Sequence, residues 1–430
     1  MERSNTTTIG LAKQRKQSRP LRVNDLVWML LLLLILTQCG TPQKSTSPSI
    51  SPTSTSPSMV YLSDQAGVDV FQIPDGISRW KFHPQLQATT EAKFVLSRGT
   101  VYYATDHLYS LNAQTGQQNW EVTFDQEASA LTVSEALVYA ASASTVYAMS
   151  VQDGSTRWHQ DIQSSSWSPI DKLFLHNDFL YVSRGGSIVA LDPATGTAHW
   201  HFNLDPGRGD SVTDIIPVEH THILLVQSGE ALDALDERTG EVLWHQDMKV
   251  QVLKVRGDTL SLIFSDLYTA SSGSSIVTST GISGFKAINI SSGKQIWQVN
   301  TPLSDGGVGG IETSALYWAK GHDVTAWSTT NGTQLWHRSN TDTYQSLIAT
   351  GNLLITETSH GNLNAFEASN GRTLWQQPSP TGSVIELHMI ENTLYGIDKT
   401  GTVVGISLED GTPLWYLVPG HPTHQLEIAR

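Results

Sequence analysis

Cysteine is almost absent: Cys39 is the only one in 430 residues. That excludes an intramolecular disulfide and any cysteine-based metal site. Residues 40–430 contain no thiol at all, which suits an exported protein, although cytosolic chains also lack cysteine. Charge is sparse, at 15% of residues, and mostly of one sign, with 40 acidic against 26 basic side chains. Residues 1–39 carry six basic side chains against two acidic ones, a net of +4; the formal charge of the whole is -14, so the remainder carries -18. A body so acidic lacks the Lys and Arg that displace counterions from nucleic acid, and sequence-independent nucleic-acid binding is excluded. Long apolar runs are lacking too. The longest, residues 26–36 (LVWMLLLLLIL), has 11 residues, where a bilayer-spanning helix needs about 20. No segment of the body shows a convincing helical period.

What the N-terminus does have is an address. A basic stretch, 13–22, precedes the apolar run, as in a secretory signal. Leu36-Thr37-Gln38-Cys39 follows, and it resembles the end of a bacterial lipoprotein signal, whose cysteine becomes the lipid-modified N-terminus. Gln38 departs from that pattern, which has a small residue there. An uncleaved anchor and an ordinary cleaved signal are the alternatives for 1–39. Residues 40–58 are nearly all Ser, Thr and Pro. They have almost nothing to bury against the entropy of ordering, so a disordered tether is expected.

From residue 59 to 430 the chain is repetitive. A Gly-x-x-x-Trp pair recurs nine times, as Gly76/Trp80, Gly116/Trp120, Gly154/Trp158, Gly196/Trp200, Gly240/Trp244, Gly293/Trp297, Gly332/Trp336, Gly371/Trp375 and Gly411/Trp415. The intervals are 40, 38, 42, 44, 53, 39, 39 and 40 residues. Each unit reads as four short strands, β-branched and aromatic, with a tight turn at the glycine. Four antiparallel strands per 40 residues or so is the signature of a β-propeller blade. The tryptophan is expected on the outer strand, filling the wedge between neighbouring blades. Burying about 150–250 Å² at about 25 cal/mol per Å² makes that side chain worth several kcal/mol. A motif repeated in every blade is a fold element and cannot mark one active site.

The segments ALDPATGTAHW (190–200) and ALDERTGEVLW (234–244), with looser copies such as LNAQTGQQNW, resemble the quinoprotein-type, or PQQ-like, propeller repeat over roughly residues 60–416. That resemblance implies an all-β propeller of four-stranded blades. Eight blades are usual for the group, and eight are expected here. Nine remain possible, because 59–82 supplies most of a further unit and HQLEIAR (424–430) its missing inner strand. The group includes PQQ-dependent alcohol dehydrogenases and non-enzymatic propellers such as the BamB-like outer-membrane assembly lipoproteins. The dehydrogenases carry an adjacent cysteine pair and a calcium-binding Glu/Asn/Asp set. Neither is recognisable here, so no PQQ, no other cofactor and no catalytic residue is expected.

The remaining motifs are weak. His159, His201, His245 and His337 each follow a repeat tryptophan and are expected on exposed outer edges, far apart. HWH (199–201) and HTH (220–222) set two imidazoles on one strand face without the further ligands that a metal site needs. Gly207-Arg208-Gly209-Asp210 reads as a turn. The glycine-rich 304–310 lacks the Lys-Ser/Thr of a phosphate-binding loop. The long interval contains a polar stretch, 266–283, expected as a hairpin or loop on one rim. Three functional readings are open: a membrane-tethered, extracytoplasmic propeller that binds proteins or peptides through its rim loops; a sensor or quinone- or metal-dependent enzyme that uses the funnel; and an extracellular adhesion or cell-wall-associated propeller.

Overall fold

The computed structural model describes residues 59–429 apart from 65, 74–75, 86–90, 165–167, 206–210, 230, 273–274, 301–306, 313, 383, 391–392, 399 and 419–424. The chain divides into two units, 1–55 and 56–430, and the described residues belong to the second. The expected signal, Cys39 and the tether at 40–58 lie outside the described residues, as does the Arg-Gly-Asp turn.

The described residues form nine four-stranded antiparallel sheets, not eight. Blade 1 takes Met59–Asp64, Gly67–Gln72 and Ile77–Phe82, with Gln425–Ala429 as its fourth strand. Blades 2 to 9 follow in order over 93–123, 128–161, 172–203, 212–247, 249–300, 308–339, 344–378 and 384–417. Every interval between repeat tryptophans holds a full set of four strands, the long one included, so no unit is merged. Ring size follows from this chain's own strand count. The ring closes in blade 1, where Met59 pairs with Ala429 and Ser63 with Gln425.

The core lies between blades rather than within one. Nine apolar clusters occupy the nine seams, one per adjacent pair. The last of them joins Tyr395, Val403 and Trp415 of blade 9 to Val60, Leu62 and Phe71 of blade 1. The two middle strands of a blade are buried on both faces and read as continuous apolar runs, as in Phe179–Arg184 and Ser187–Leu191. Outer strands are exposed except mainly at the tryptophan, as in Ala198–Asn203.

The polar stretch in blade 6 is a hairpin. Thr259–Ser272 pairs with Ser275–Asn289 along its whole length, and past Ser265 the two strands continue as a ribbon that neither flanking strand follows. Inner-to-second and third-to-outer turns share one face of the ring. The ribbon leaves from the other.

Candidate functional site

The repeated motif is a joint between blades. In blades 2, 4, 5 and 6 an Asp or Asn four residues before the glycine accepts backbone N–H bonds within its own turn: Ala194 N and Thr195 N donate to Asp192 Oδ1 at 2.8 and 2.9 Å, and Gly196 N donates to Asp192 O at 2.8 Å. The Thr195 amide holds the Asp192 carboxyl below the usual carboxylate range. The glycine then meets two demands. Gly196 has φ +74°, and a Cβ there would lie 2.6 Å from the ring of Trp158 in the preceding blade. Gly116, Gly154, Gly240, Gly293, Gly332, Gly371 and Gly411 sit in the same way on Trp80, Trp120, Trp200, Trp244, Trp297, Trp336 and Trp375.

Each of those eight indoles also donates Nε1–H to a carbonyl of the following blade, at 2.5–3.0 Å. The ninth joint differs. Gly76 faces the Tyr416 carbonyl instead of an indole, and Trp415 lies over Gly405, its own cross-strand neighbour. The sequence pattern shows the pair within a unit but not that the glycine of one blade serves the tryptophan of the one before.

Differences between blades carry the candidate sites. The first is the seam of blades 4 and 5. The carbonyls that accept the indole bond belong to Ala113, Val151, Pro193, Ile290, Thr329, Ala368 and Leu408, but in blade 5 to Glu237. Its side chain is 2% exposed. Tyr181 Oη and Asn177 Nδ2 each donate to the carboxylate at 3.0 Å, and His176 Nε2 and His222 Nδ1 stand 3.6 and 3.8 Å from it. Burial, followed by the Glu237 charge, pushes the Tyr181 phenol well above its ordinary value. This cluster escaped sequence reasoning because its members come from three segments. The legible signal was one acidic residue at an otherwise mostly apolar repeat position.

The second is a pocket of about 510 Å³ between blades 6 and 7, on the same face of the ring, with Lys254, Arg256, Glu312, Ile296, Trp297 and Thr330 among its walls. Lys254 Nζ donates to Glu312 Oε1 across the seam at 3.0 Å. The glycines of 304–310 that are described make room for a side chain. Cβ atoms at Gly307 and Gly309 would overlap Trp318, which is buried beside Phe285 with its Nε1 unbonded. On the opposite face, a hollow of about 830 Å³ is lined by Asp106, Asp125, Glu127, Asp171 and Lys93. Burial pushes Asp106 up, but bonds from His107 and Thr105 outweigh it and hold its carboxyl low.

The other expected residues are scattered. His159, His201 and His337 are exposed on their outer strands. His245 is drawn inward between Asp233 and Asp247, at 2.6 and 2.7 Å. His199 packs edge-on against Phe179, and only His222 of the HTH stretch reaches the Glu237 cluster. Among the described residues no group of three or more His, Cys, Asp or Glu side chains is placed to hold a metal. With no cysteine after residue 39, the residues present do not fit the quinone-and-calcium set. Among the described residues the arrangement offers binding surfaces and hydrogen-bonded structural clusters.

Among solved structures, BamB from Moraxella catarrhalis is 14% identical and matches with TM-score 0.48, over 72% of this chain and 94% of its own. Quinohemoprotein alcohol dehydrogenase from Comamonas testosteroni is also 14% identical, with TM-score 0.48 over 86% and 72%. A computationally designed protein, Ika8, is 15% identical, with TM-score 0.48 over 70% and 89%. No curated protein matches the chain. The profile of the family described as outer membrane protein assembly factor BamB matches residues 64–172, 142–286 and 283–430. The matches together take in residues 64–430, all of the ring but most of its first strand, and the chain belongs to the family of the outer membrane protein assembly factor BamB.

Proposed function

We propose that this chain is an extracytoplasmic, membrane-tethered propeller that binds other proteins and catalyses no reaction. The observation that carries the reading is the match of residues 64–430, nearly the entire ring, to a family of assembly factors. The closed, hydrogen-bonded state of the Glu237 cluster agrees with it. In this reading Cys39 carries the lipid and 40–58 is the spacer that holds the ring off the membrane surface. The rims that meet partners are those of the differing seams.

Two experiments test it. Chemical crosslinking in intact membranes, followed by purification of the chain, is expected to recover a protein bound in defined ratio; a ring that comes back alone sinks the scaffold role. Cys39→Ser is expected to move the protein from the membrane to the soluble fraction and to abolish labelling by a fatty-acid analogue. Stoichiometric metal, or saturable binding of a quinone cofactor by the purified chain, would instead establish the ligand-dependent alternative, for which the pocket between blades 6 and 7 offers a place.

A further inference from the structure

The outer strand of every blade is the edge of a sheet, with backbone groups open to pairing by another chain. Eight of the nine edges are defended. The residue after the tryptophan is Lys81, Glu121, His159, His201, His245, Gln298, His337 or Gln376, and polar or charged side chains at such positions discourage strand addition. In blade 9 that residue is Tyr416, and the strand Pro413–Leu417 carries no charged or amide side chain at all.

The same strand is where apolar surface concentrates. Leu414, Tyr416 and Val418 are 54, 49 and 74% exposed, while Trp415 and Leu417, alternating with them, are buried against blade 1. Ile77, 53% exposed, follows Gly76 at the same seam, and Gly76 itself abuts the Tyr416 carbonyl. Among the described residues, four of the nine strongly exposed large apolar side chains therefore fall at one joint, and the other five are spread over four blades. A concentration of this kind marks an interaction surface more often than chance exposure does. It is also the joint at which the indole-on-glycine packing of the other eight is replaced.

Charge decides the occupant. The turn that leads into the strand exposes Glu409 and Asp410, and hydrogen bonds from Thr412 hold the Asp410 carboxyl below the usual carboxylate range. The edge is thus apolar along its length and acidic at one end. A second copy of this chain would bring another apolar, acidic-ended edge and another body of charge -18, so that like charges would meet.

Resting on the protein-binding reading above, we propose that the outer strand of blade 9 is a docking edge. There an extended segment of a different protein, apolar at alternate residues and basic at the end beside Glu409 and Asp410, adds as a fifth strand. Pairing begins past the one-residue bulge at Leu414, an irregularity common to all nine outer strands. Backbone bonds supply affinity, and the Leu414–Tyr416–Val418 row supplies specificity.

The test uses the full chain in detergent and a dye-labelled peptide that alternates Val and Thr and ends in two lysines. Fluorescence anisotropy is expected to show saturable binding. Tyr416→Lys combined with Val418→Lys, two exposed positions, is expected to weaken it at least tenfold with the melting temperature unchanged. Gln376→Lys, the matching position in blade 8, is expected to leave it unchanged. Methylating alternate backbone amides of the peptide should abolish binding, and replacing its lysines by glutamates should weaken it severalfold.

Absence of peptide binding, or binding indifferent to the blade 9 variant, overturns the proposal. So does a wild-type dimer that the variant dissociates, since the occupant is then a second copy. A photo-crosslinker placed in membranes at 416, and separately at 121 and 298, distinguishes the docking edge from the scaffold role. Capture only at the other positions removes the docking edge and leaves the scaffold reading standing. Capture at none likewise removes the docking edge, and the scaffold reading is then decided by the crosslinking of the intact chain described above.

Discussion

At the residue scale, the glycine of each joint answers to two constraints, and paired substitutions separate them. Gly196 and Gly99 both have positive φ, +74° and +75°, but a Cβ at Gly99 meets nothing within 4 Å while one at Gly196 runs into Trp158. Gly99→Ala should cost about 1 kcal/mol, the penalty of the left-handed backbone alone. Gly196→Ala adds displacement of a packed indole and should cost about 2–4 kcal/mol. Urea unfolding midpoints read the difference, and equal costs would mean that the joint yields freely. Buried phenols give a second prediction at this scale. Burial and then the Glu312 charge push Tyr317 up to about 12, and burial with nearby acidic groups raises Tyr103 and Tyr181 further. A phenol whose folded pKa is raised stays protonated in the native ring while the unfolded chain ionises. Its contribution is therefore complete below the ordinary value of about 10 and is lost as pH rises through the folded value. The stability these phenols contribute should be flat up to pH about 10 and fall steeply beyond it. Absorbance at tyrosinate wavelengths should show these three phenols titrating only together with loss of the fold. Early titration of all tyrosines near pH 10 in an intact ring would contradict the burial.

At the scale of the element, most blades were legible because turn, glycine and tryptophan recur in one register, and each part has a local physical cause. The Asp192-type turn is local in sequence, and so is the alternation of the outer strand. The blade number was not legible in the same way. The expectation of eight followed the habit of the repeat group, whereas the chain places four strands in every interval and completes blade 1 with residues that carry no Gly-Trp pair. The Glu237 cluster stayed hidden for a related reason: His176 and Asn177, Tyr181, and His222 with Glu237 meet only when two blades pack. Because the buried carboxylate accepts from two neutral donors, Glu237→Gln should turn an amide N–H toward one of them and cost about 1–3 kcal/mol. Removing the demand along with the group should restore much of that. Glu237→Leu with Tyr181→Phe and Asn177→Gly gives this seam a side chain like Leu408, and a glycine at a turn residue whose φ is +48°. If the triple variant unfolds at lower denaturant than Glu237→Gln, the cluster has a packing role that its hydrogen bonds do not capture.

At the scale of the molecule, the ring is held by nine similar seams, and closure depends on five paired residues joining the two ends of the body. A repeat array with open ends unfolds in stages, since each unit touches only its neighbours. A closed ring has no terminal unit from which to fray. The C-terminal strand is therefore the element whose loss changes the kind of unfolding as well as its midpoint. Deleting 425–430 removes about five backbone pairings, worth about 1 kcal/mol for each hydrogen bond, and leaves blade 1 with three strands. It also exposes the seam at which Val60, Leu62 and Phe71 meet blade 9. The expected result is a loss of about 3–5 kcal/mol in the first transition and a split of one urea transition into two. Hydrogen exchange should accelerate first in blades 1 and 9 and last in blades 4 to 6. Supplying the deleted residues as a synthetic peptide should restore the single transition. A truncated chain that still unfolds in one step, with uniform exchange around the ring, would show that the eight indole-on-glycine joints hold the propeller closed without its final strand.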